Sequence, residues 1–264
     1  MSDLVRVHTD DGIATVTMNR PEKRNALSIE LIEALEQAVE AIERDEAVRA
    51  LILSGEGKAF CAGMDLQGVM ADAVGMRRML HGLSRVLRRI RRLPVPTIAK
   101  VQGAAVGGGC GLMVVTDFAV THPEAKVGYP EVSLGLCPAV VAPWLMRKIG
   151  PGPARAMLLA GGTISGQEGY ERGLASHLAE RDRLDAEAET LARSLANGGV
   201  LATRTTKSWL NELDGSLEDA VLDRAADLSA DVIASEEAQA RLRALFGRGE
   251  EEKGSGVFSQ KPRF

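Results

Sequence analysis

The sequence predicts an α/β fold that gives way to an all-helical end, and three observations carry that reading. Short aliphatic and β-branched runs alternate with amphipathic helical periods through the first half of the chain. From about Leu184 onward every periodic segment is helical. The composition therefore shifts near residue 200 and divides the chain into a core over residues 1–199 and a helical region with a tail over residues 200–264. Finally, 264 residues with 45% hydrophobic content can bury one large core, or a core with a small appendage.

Each element has its own local signal. Ile13 to Met18 alternates polar and apolar like a strand, and Asp11-Gly12 before it reads as a hairpin turn from Val5-Arg6-Val7-His8. A turn-rich link from Asn19 to Ala26 precedes a helix. Ser28 fits its N-cap, Leu27 and Ile32 fit a hydrophobic staple, and Leu31, Leu35, Val39 and Ile42 recur at helical spacing. Ala50 to Leu53 is a short buried strand punctuated by Gly55 and Gly57. Met76, Met79, Leu80, Leu83, Val86, Leu87 and Ile90 form one face of a long amphipathic helix that ends before Pro94 and Pro96. Thr97 to Val101 is the next strand. Gly103 opens a loop into a helix containing Leu112 to Val115, and Phe118 to Val120 is again a strand. Ser165-Gly166-Gln167-Glu168 is a capping box for a short helix with Gly173 at its C′ position. Helices then follow, including Leu217 to Ile233 and Glu236 to Phe246. The tail from Arg248 to Phe264, rich in glycine and charge, is expected to be loose unless a partner orders it.

Bulk composition narrows the function. A formal net charge of −4 offers no basic excess to neutralise phosphates, and 3% aromatic content offers no base-stacking platform. Nucleic-acid binding is therefore not expected. Cys61, Cys110 and Cys137 are an odd, widely spaced set that suits a reducing compartment without disulfides. His8, His81, His122 and His177 form no ligand spacing, so no metal site is expected. The N-terminus lacks an apolar leader, and no window approaches 18 uncharged apolar residues. The expectation is a soluble, cytoplasmic protein without a membrane role.

Three segments carry chemistry. Glu131 stands in Val127-Gly128-Tyr129-Pro130-Glu131-Val132-Ser133-Leu134-Gly135-Leu136, just downstream of the glycine-dense run Gln102 to Gly111. This spacing sets a lone carboxylate near a turn whose bare backbone N–H groups suit a developing oxyanion. Gly107-Gly108-Gly109 is neither a P-loop nor a dinucleotide fingerprint, and taken alone it reads equally as close helix–strand packing. Glu131 alone reads as an exposed or ion-paired carboxylate. The third segment is Ala59-Phe60-Cys61-Ala62-Gly63-Met64-Asp65-Leu66.

Together these segments resemble the crotonase (enoyl-CoA hydratase/isomerase) superfamily over nearly the whole chain. The resemblance implies a spiral of ββα units followed by a C-terminal α-helical trimerisation region, assembled as a homotrimer or a dimer of trimers. It places an oxyanion hole at the backbone N–H groups of Met64 and Gly108, where they would bind the thioester carbonyl oxygen of an acyl-CoA. Coenzyme A would be part of the substrate, with no separate cofactor. Hydratases of the family carry two glutamates, in G-G-G-x-E and P-E-x-x-L-G. Glu131 matches the second, but Gly111 occupies the first.

That departure leaves three readings: an enoyl-CoA hydratase working with one acid/base, a Δ3,Δ2-enoyl-CoA isomerase using the same glutamate, and a non-catalytic acyl-CoA-binding scaffold. Gly135 to Pro143 also resembles bacterial methylglutaconyl-CoA hydratase-like enzymes. Gly111 within a helix costs roughly 1 kcal/mol relative to Ala, so substrate or water needs its space, or the loss is tolerated. For CoA the resemblance points to the Asn25-Ala26-Leu27 turn, with Arg24 and Lys58 for phosphates and Ala62, Asp65 and Leu66 nearby. Asp65 also reads as a structural cap or turn residue. Phe258 and Lys261 of a neighbouring subunit are further CoA candidates. The arginine-laden helix (Arg77, Arg78, Arg85, Arg88, Arg89, Arg91, Arg92) reads as a solvated face, or else as a phosphate attractor.

Overall fold

The computed structural model describes residues 3–68 and 72–254. β1 (Val5–Asp10) and β2 (Ile13–Met18) form an antiparallel hairpin, with Asp11 at φ 47° and Gly12 at φ 76° as its two-residue turn requires. α1 (Ile29–Arg44) begins where Ser28 Oγ accepts the Leu31 N–H, and its stripe Leu31, Ile32, Leu35, Val39 and Ile42 is buried. Each such aliphatic side chain contributes roughly 1.5–3 kcal/mol. β3 (Ala50–Gly55) is buried at every position, as expected of a parallel strand covered on both faces. α2 (Ala73–Arg92) is capped by Asp72, which accepts from Val74 and Gly75 N–H, and it stops just before Pro94.

Next come β4 (Thr97–Val101), β5 (Ala105–Val106), α3 (Gly108–Val114), β6 (Phe118–Thr121) and β7 (Lys126–Gly128). They lead to α4 (Ala142–Ile149), α5 (Pro151–Ala160), β8 (Thr163–Ser165), α6 (Gly166–Glu171) and β9 (His177–Leu178). Four helices complete the described chain: α7 (Leu184–Ala196), α8 (Val200–Leu213), α9 (Asp219–Ile233) and α10 (Glu236–Gly254).

The larger sheet runs β1-β2-β3-β4-β6-β9 and is parallel after the first hairpin. The smaller sheet runs β5-β7-β8. Strand pairs followed by a helix recur as β1-β2-α1 and β4-β5-α3, which is the ββα rhythm the resemblance implies. After β3 the second strand shrinks to a parallel bridge between Cys61 and Ala105. Side chains alternate across the larger sheet. Leu51, Leu53, Ala99 and Val101 join the main cluster with α1, α2 and α3, while Ala50, Ile52, Ile98 and Val120 face Leu184, Ala188 and Ala192 of α7.

Three details differ from the sequence reading. The triple glycine is not a free turn, since Gly107 caps α3 at φ 55° and Gly108 is already its first residue. The capping box at Ser165 is half formed: Ser165 Oγ accepts the Glu168 N–H, but the Glu168 carboxylate turns to Arg172. The main apolar cluster also runs unbroken across residue 200, because Leu222, Ala226, Ala230 and Ile233 of α9 pack into it.

Candidate active site

The smaller sheet explains how distant segments meet. β5 and β7 pair in parallel with Val106 opposite Gly128, so their C-terminal ends emerge side by side. β5 runs directly into Gly107 and Gly108, and β7 runs into Tyr129, Pro130 and Glu131. Gly107 N–H donates to Gly128 O at 2.8 Å, which locks the two exits together. Glu131 opens a short helical turn, Glu131–Leu134, closed by Gly135 in the left-handed region. Its carboxylate lies so close to Gly107 that a Cβ there would stand 2.8 Å from Oε1. Only glycine suits that combination of positive φ and close approach.

A parallel bridge orients the Met64 N–H, and the start of α3 leaves the Gly108 N–H free. Leu27 bridges Met64, with Leu27 N–H bonded to Gly63 O and Asp65 N–H to Leu27 O, so the Met64 N–H points the other way. Gly108 belongs to the first turn of α3, whose N–H groups have no partner within the helix. Neither N–H finds an acceptor among the described residues. The two sites adjoin: a Cβ on Gly63 would lie 3.9 Å from Gly108 N, and one on Gly108 would lie 3.7 Å from Met64 Cγ.

Met64, Gly108 and Glu131 line one cavity of about 130 Å³. Its walls are Leu66, Leu80, Leu83, Leu134, Leu136, Pro138, Val140, Val141 and Ile233, and among the described residues the lining contains no Lys, Arg or His. Glu131 Oε2 is buried without a hydrogen-bond partner among the described residues. Burial pushes its carboxyl up to about 7, only partly offset by its own backbone N–H. Behind it, burial pushes the Cys110 thiol up to about 12 and the Tyr129 phenol well above its ordinary value. Both therefore stay protonated near neutrality, and Glu131 is the carboxylate in the cavity poised to exchange a proton there.

Gly111 packs behind Val141. It lines no part of the cavity, and a Cβ at this position would meet Val141 Cγ1 at 2.6 Å. The space is filled by the Val141 isopropyl group, neither by solvent nor by room for substrate. Val141 itself does line the cavity, so an apolar wall stands where a second carboxylate would otherwise reach.

The CoA candidates separate into two sets. Ala62 and Leu66 line the cavity beside Met64. Ala26 lies in a tight turn in which Arg24 and Asn25 have φ 53° and 54°. Asn25 Nδ2 donates to Glu56 O and Ala59 O, which sets the Arg24 turn beside the Lys58 turn, and both side chains are exposed. Asp65 is engaged elsewhere, since it accepts from Arg20 Nη1 at 2.8 Å while the same nitrogen donates to Ala26 O. Arg20 is the partner the sequence did not reveal. Phe258 and Lys261 lie outside the described residues.

The α2 arginines are neither bare nor directed at a ligand. On one flank Arg78, Arg85 and Arg89 meet Glu33, Glu36 and Glu43 of α1. On the other, Arg77, Arg88 and Arg92 meet Asp219, Asp223, Asp227 and Asp231 of α9. Sequence reasoning also missed Ser229 and Ile233, which α9 contributes to the cavity. One signal was available: Ser229 interrupts the apolar stripe Leu222, Ala226, Ala230, Ile233.

Comparison with known proteins identifies the family. Residues 8–260 match the family described as enoyl-CoA hydratase/isomerase. The 1,2-epoxyphenylacetyl-CoA isomerase of Escherichia coli is 33% identical over 86% of this chain and 89% of its own. The crotonyl-CoA hydratase of Syntrophomonas wolfei is 34% identical over 84% of this chain and 85% of its own. An enoyl-CoA hydratase/isomerase from Mycobacterium paratuberculosis superposes with a TM-score of 0.85 at 28% identity, covering 92% of this chain and 99% of the other. Among the described residues no helix is long and apolar enough to cross a membrane, and no cluster of three or more His, Cys, Asp or Glu side chains is arranged to hold a metal.

Proposed function

This chain belongs to the enoyl-CoA hydratase/isomerase family, and on that premise we propose that it adds or removes water across the double bond of a 2-enoyl-CoA. The observation that carries the reading is one cavity shared by an unpaired buried carboxylate and two unpaired backbone N–H groups. Met64 and Gly108 N–H hold the thioester oxygen. They stabilise it more as an enolate than as a neutral carbonyl, so the preference lowers the barrier. Glu131 takes a proton from water as the oxygen joins C3, then returns a proton to C2. CoA is the carrier portion of the substrate, and the chemistry needs no further cofactor.

The apolar lining favours an uncharged acyl group. A second carboxylate, as in a methylglutaconyl chain, would lose its hydration in the cavity with no cation beside it among the described residues. The second reading is a Δ3,Δ2-enoyl-CoA isomerase, which needs a single carboxylate to carry one proton from C4 to C2. The lone Glu131 favours it. Retention of both oxyanion segments with Glu131 weighs against a non-catalytic scaffold.

The test is to follow conjugated thioester absorbance with crotonyl-CoA and a 3-enoyl-CoA side by side. Hydration removes absorbance from the first and forms 3-hydroxybutyryl-CoA. A protein that only generates absorbance from the second is an isomerase, and turnover of neither ends both readings.

Assembly as a trimer or dimer of trimers belongs to the same proposal. Leu201, Trp209 and Leu213 of α8 are 77%, 56% and 64% exposed at spacings that share one helix face, a stripe suited to a partner subunit. A stable monomer at micromolar concentration in light scattering would contradict it.

A further inference from the structure

We propose that Ser229 is the second water-binding group of this site, taking the place of the carboxylate that position 111 lacks; the inference rests on the hydration reading. Adding water needs more than a base. One O–H must point at the base, the other must be held elsewhere, and a lone pair must face C3. A single glutamate fixes only the first of these.

The cavity offers few partners for the other O–H. Apart from the Met64 thioether, the lining side chains with polar atoms are Glu131, Cys137 and Ser229. A thiol is a weak acceptor. Ser229 is 4% exposed, and its hydrogen bonding is fixed on two sides. Oγ donates its proton to Cys137 O at 2.9 Å and accepts from Val140 N–H at 3.2 Å.

A hydroxyl has one proton and two lone pairs. The proton and one lone pair are committed to the loop, so any further hydrogen bond that Ser229 makes to a molecule in the cavity it lines is one that it accepts. That polarity suits a nucleophile. A donor here would draw on the water lone pair that must attack, whereas an acceptor holds the spare O–H and leaves the lone pair free. The hydroxyl is also held in place, because Arg77, Arg88 and Arg92 tie α9 to α2 on either side of it.

The step balances with the residues present. The water oxygen bonds to C3 while the C2–C3 π pair moves onto the thioester oxygen between Met64 and Gly108 N–H. Glu131 accepts the first proton and delivers one to C2 as the carbonyl re-forms. The hydrogen held by Ser229 stays on the new hydroxyl.

The experiment compares two reactions of the intact protein. Crotonyl-CoA hydration needs the bound water. Exchange of the α-protons of butyryl-CoA with D2O needs only Glu131 and the oxyanion donors. Ser229→Ala should lower kcat for hydration about tenfold or more, the loss of one well-placed hydrogen bond, with KM and the exchange rate within about twofold of wild type. Ser229→Cys, nearly isosteric but a poor acceptor, should show the same split and serves if the alanine variant fails to fold. Parallel loss of hydration and exchange would mean that Ser229 merely anchors the loop, and unchanged hydration would mean that it holds no water. Either result overturns the inference alone. A wild-type protein that exchanges α-protons without hydrating crotonyl-CoA would overturn the hydration reading and this inference with it.

Discussion

Glu131 sits in its cavity with no cation beside it among the described residues. The seven arginines of α2, a helix whose Leu80 and Leu83 line that same cavity, each meet a carboxylate. The two regions use the same charge types in opposite solvents. On the shoulder formed by α1, α2 and α9 the charges stay partly in water, so desolvation is cheap and each pair is worth roughly 0–1 kcal/mol. In the cavity one carboxylate loses its water and gains no charged partner among the described residues, which costs stability and moves its pKa toward neutrality. A paired carboxylate would be a poor proton carrier, and an unpaired row of arginines would be a poor helix clamp.

The largest effect is expected from Glu131→Gln, which removes the uncompensated charge. Turnover should fall roughly 10²–10⁴-fold, the usual worth of a positioned acid/base, with acyl-CoA affinity nearly intact. Stability should move the other way. The folded carboxyl titrates at about 7 against 4.5 when unperturbed, so between these values the folded state holds a proton that the unfolded state has released. Stability therefore falls as pH rises from 4.5 through 7, and above 7 the wild type carries a penalty of about 3 kcal/mol. Glutamine carries none. Denaturant melts of both proteins at pH 5 and pH 8 should show the gap open at pH 8. For the same reason kcat should rise as pH passes 7, and parallel stability curves would show that Glu131 is not desolvated.

Gly111→Glu adds a second charge to the dry region. The new Cβ overlaps Val141 Cγ1 at 2.6 Å, so overpacking should cost at least about 2 kcal/mol by thermal or denaturant melt. Val141→Ala in the same chain should recover much of it by opening the space. Should the double variant hydrate crotonyl-CoA faster, its pH–rate profile should shift as well, because like charges at short range raise one pKa of the pair. A single variant as stable as wild type would show that Val141 does not fill this space.

A third change probes cations that are wet and unpaired. Arg24 and Lys58 are exposed on adjacent turns and meet no carboxylate among the described residues. Replacing both with Ala should raise KM for CoA thioesters about tenfold at low salt, leave kcat alone, and lose that effect as ionic strength rises. An unchanged KM would remove them from CoA recognition.

How much of this was legible depended on range. The Asp11-Gly12 hairpin, the Ser28 cap and the α2 stripe follow from neighbours within four residues, and they stand where the sequence set them. β5, β7, β8 and β9 are two or three residues long, too short for any alternation to register. Yet β5 and β7 are what bring Gly108 to Glu131, so the motifs were readable while the reason they meet was not. What fills the space at Gly111 was hidden too, because its motif position is local while Val141 arrives from about thirty residues away. Ser229 was hidden by its helix, which read only as part of an assembly region. The acidic residues Asp219, Asp223, Asp227 and Asp231 recur at a visible four-residue spacing, but their arginine partners lie more than a hundred residues upstream.

The smallest effects sharpen the comparison most, because they ask whether the shoulder serves the cavity. Arg88 contacts Asp219 at 3.1 Å and Asp223 at 2.7 Å, and so holds α9, which supplies Ser229 and Ile233 to the cavity wall. Arg85 contacts Glu36 of α1 at 3.1 Å, and α1 supplies nothing to that wall. Each arginine replaced by Ala should cost about 1 kcal/mol or less, and less still at high salt. Only Arg88→Ala should also change catalysis. Loosening α9 lets the wall breathe, so KM for crotonyl-CoA should rise up to about threefold while Arg85→Ala stays within error. If the two variants behave alike in KM, α9 is held by its buried stripe of Leu222, Ala226 and Ile233, and the ion pairs contribute stability without shaping the site.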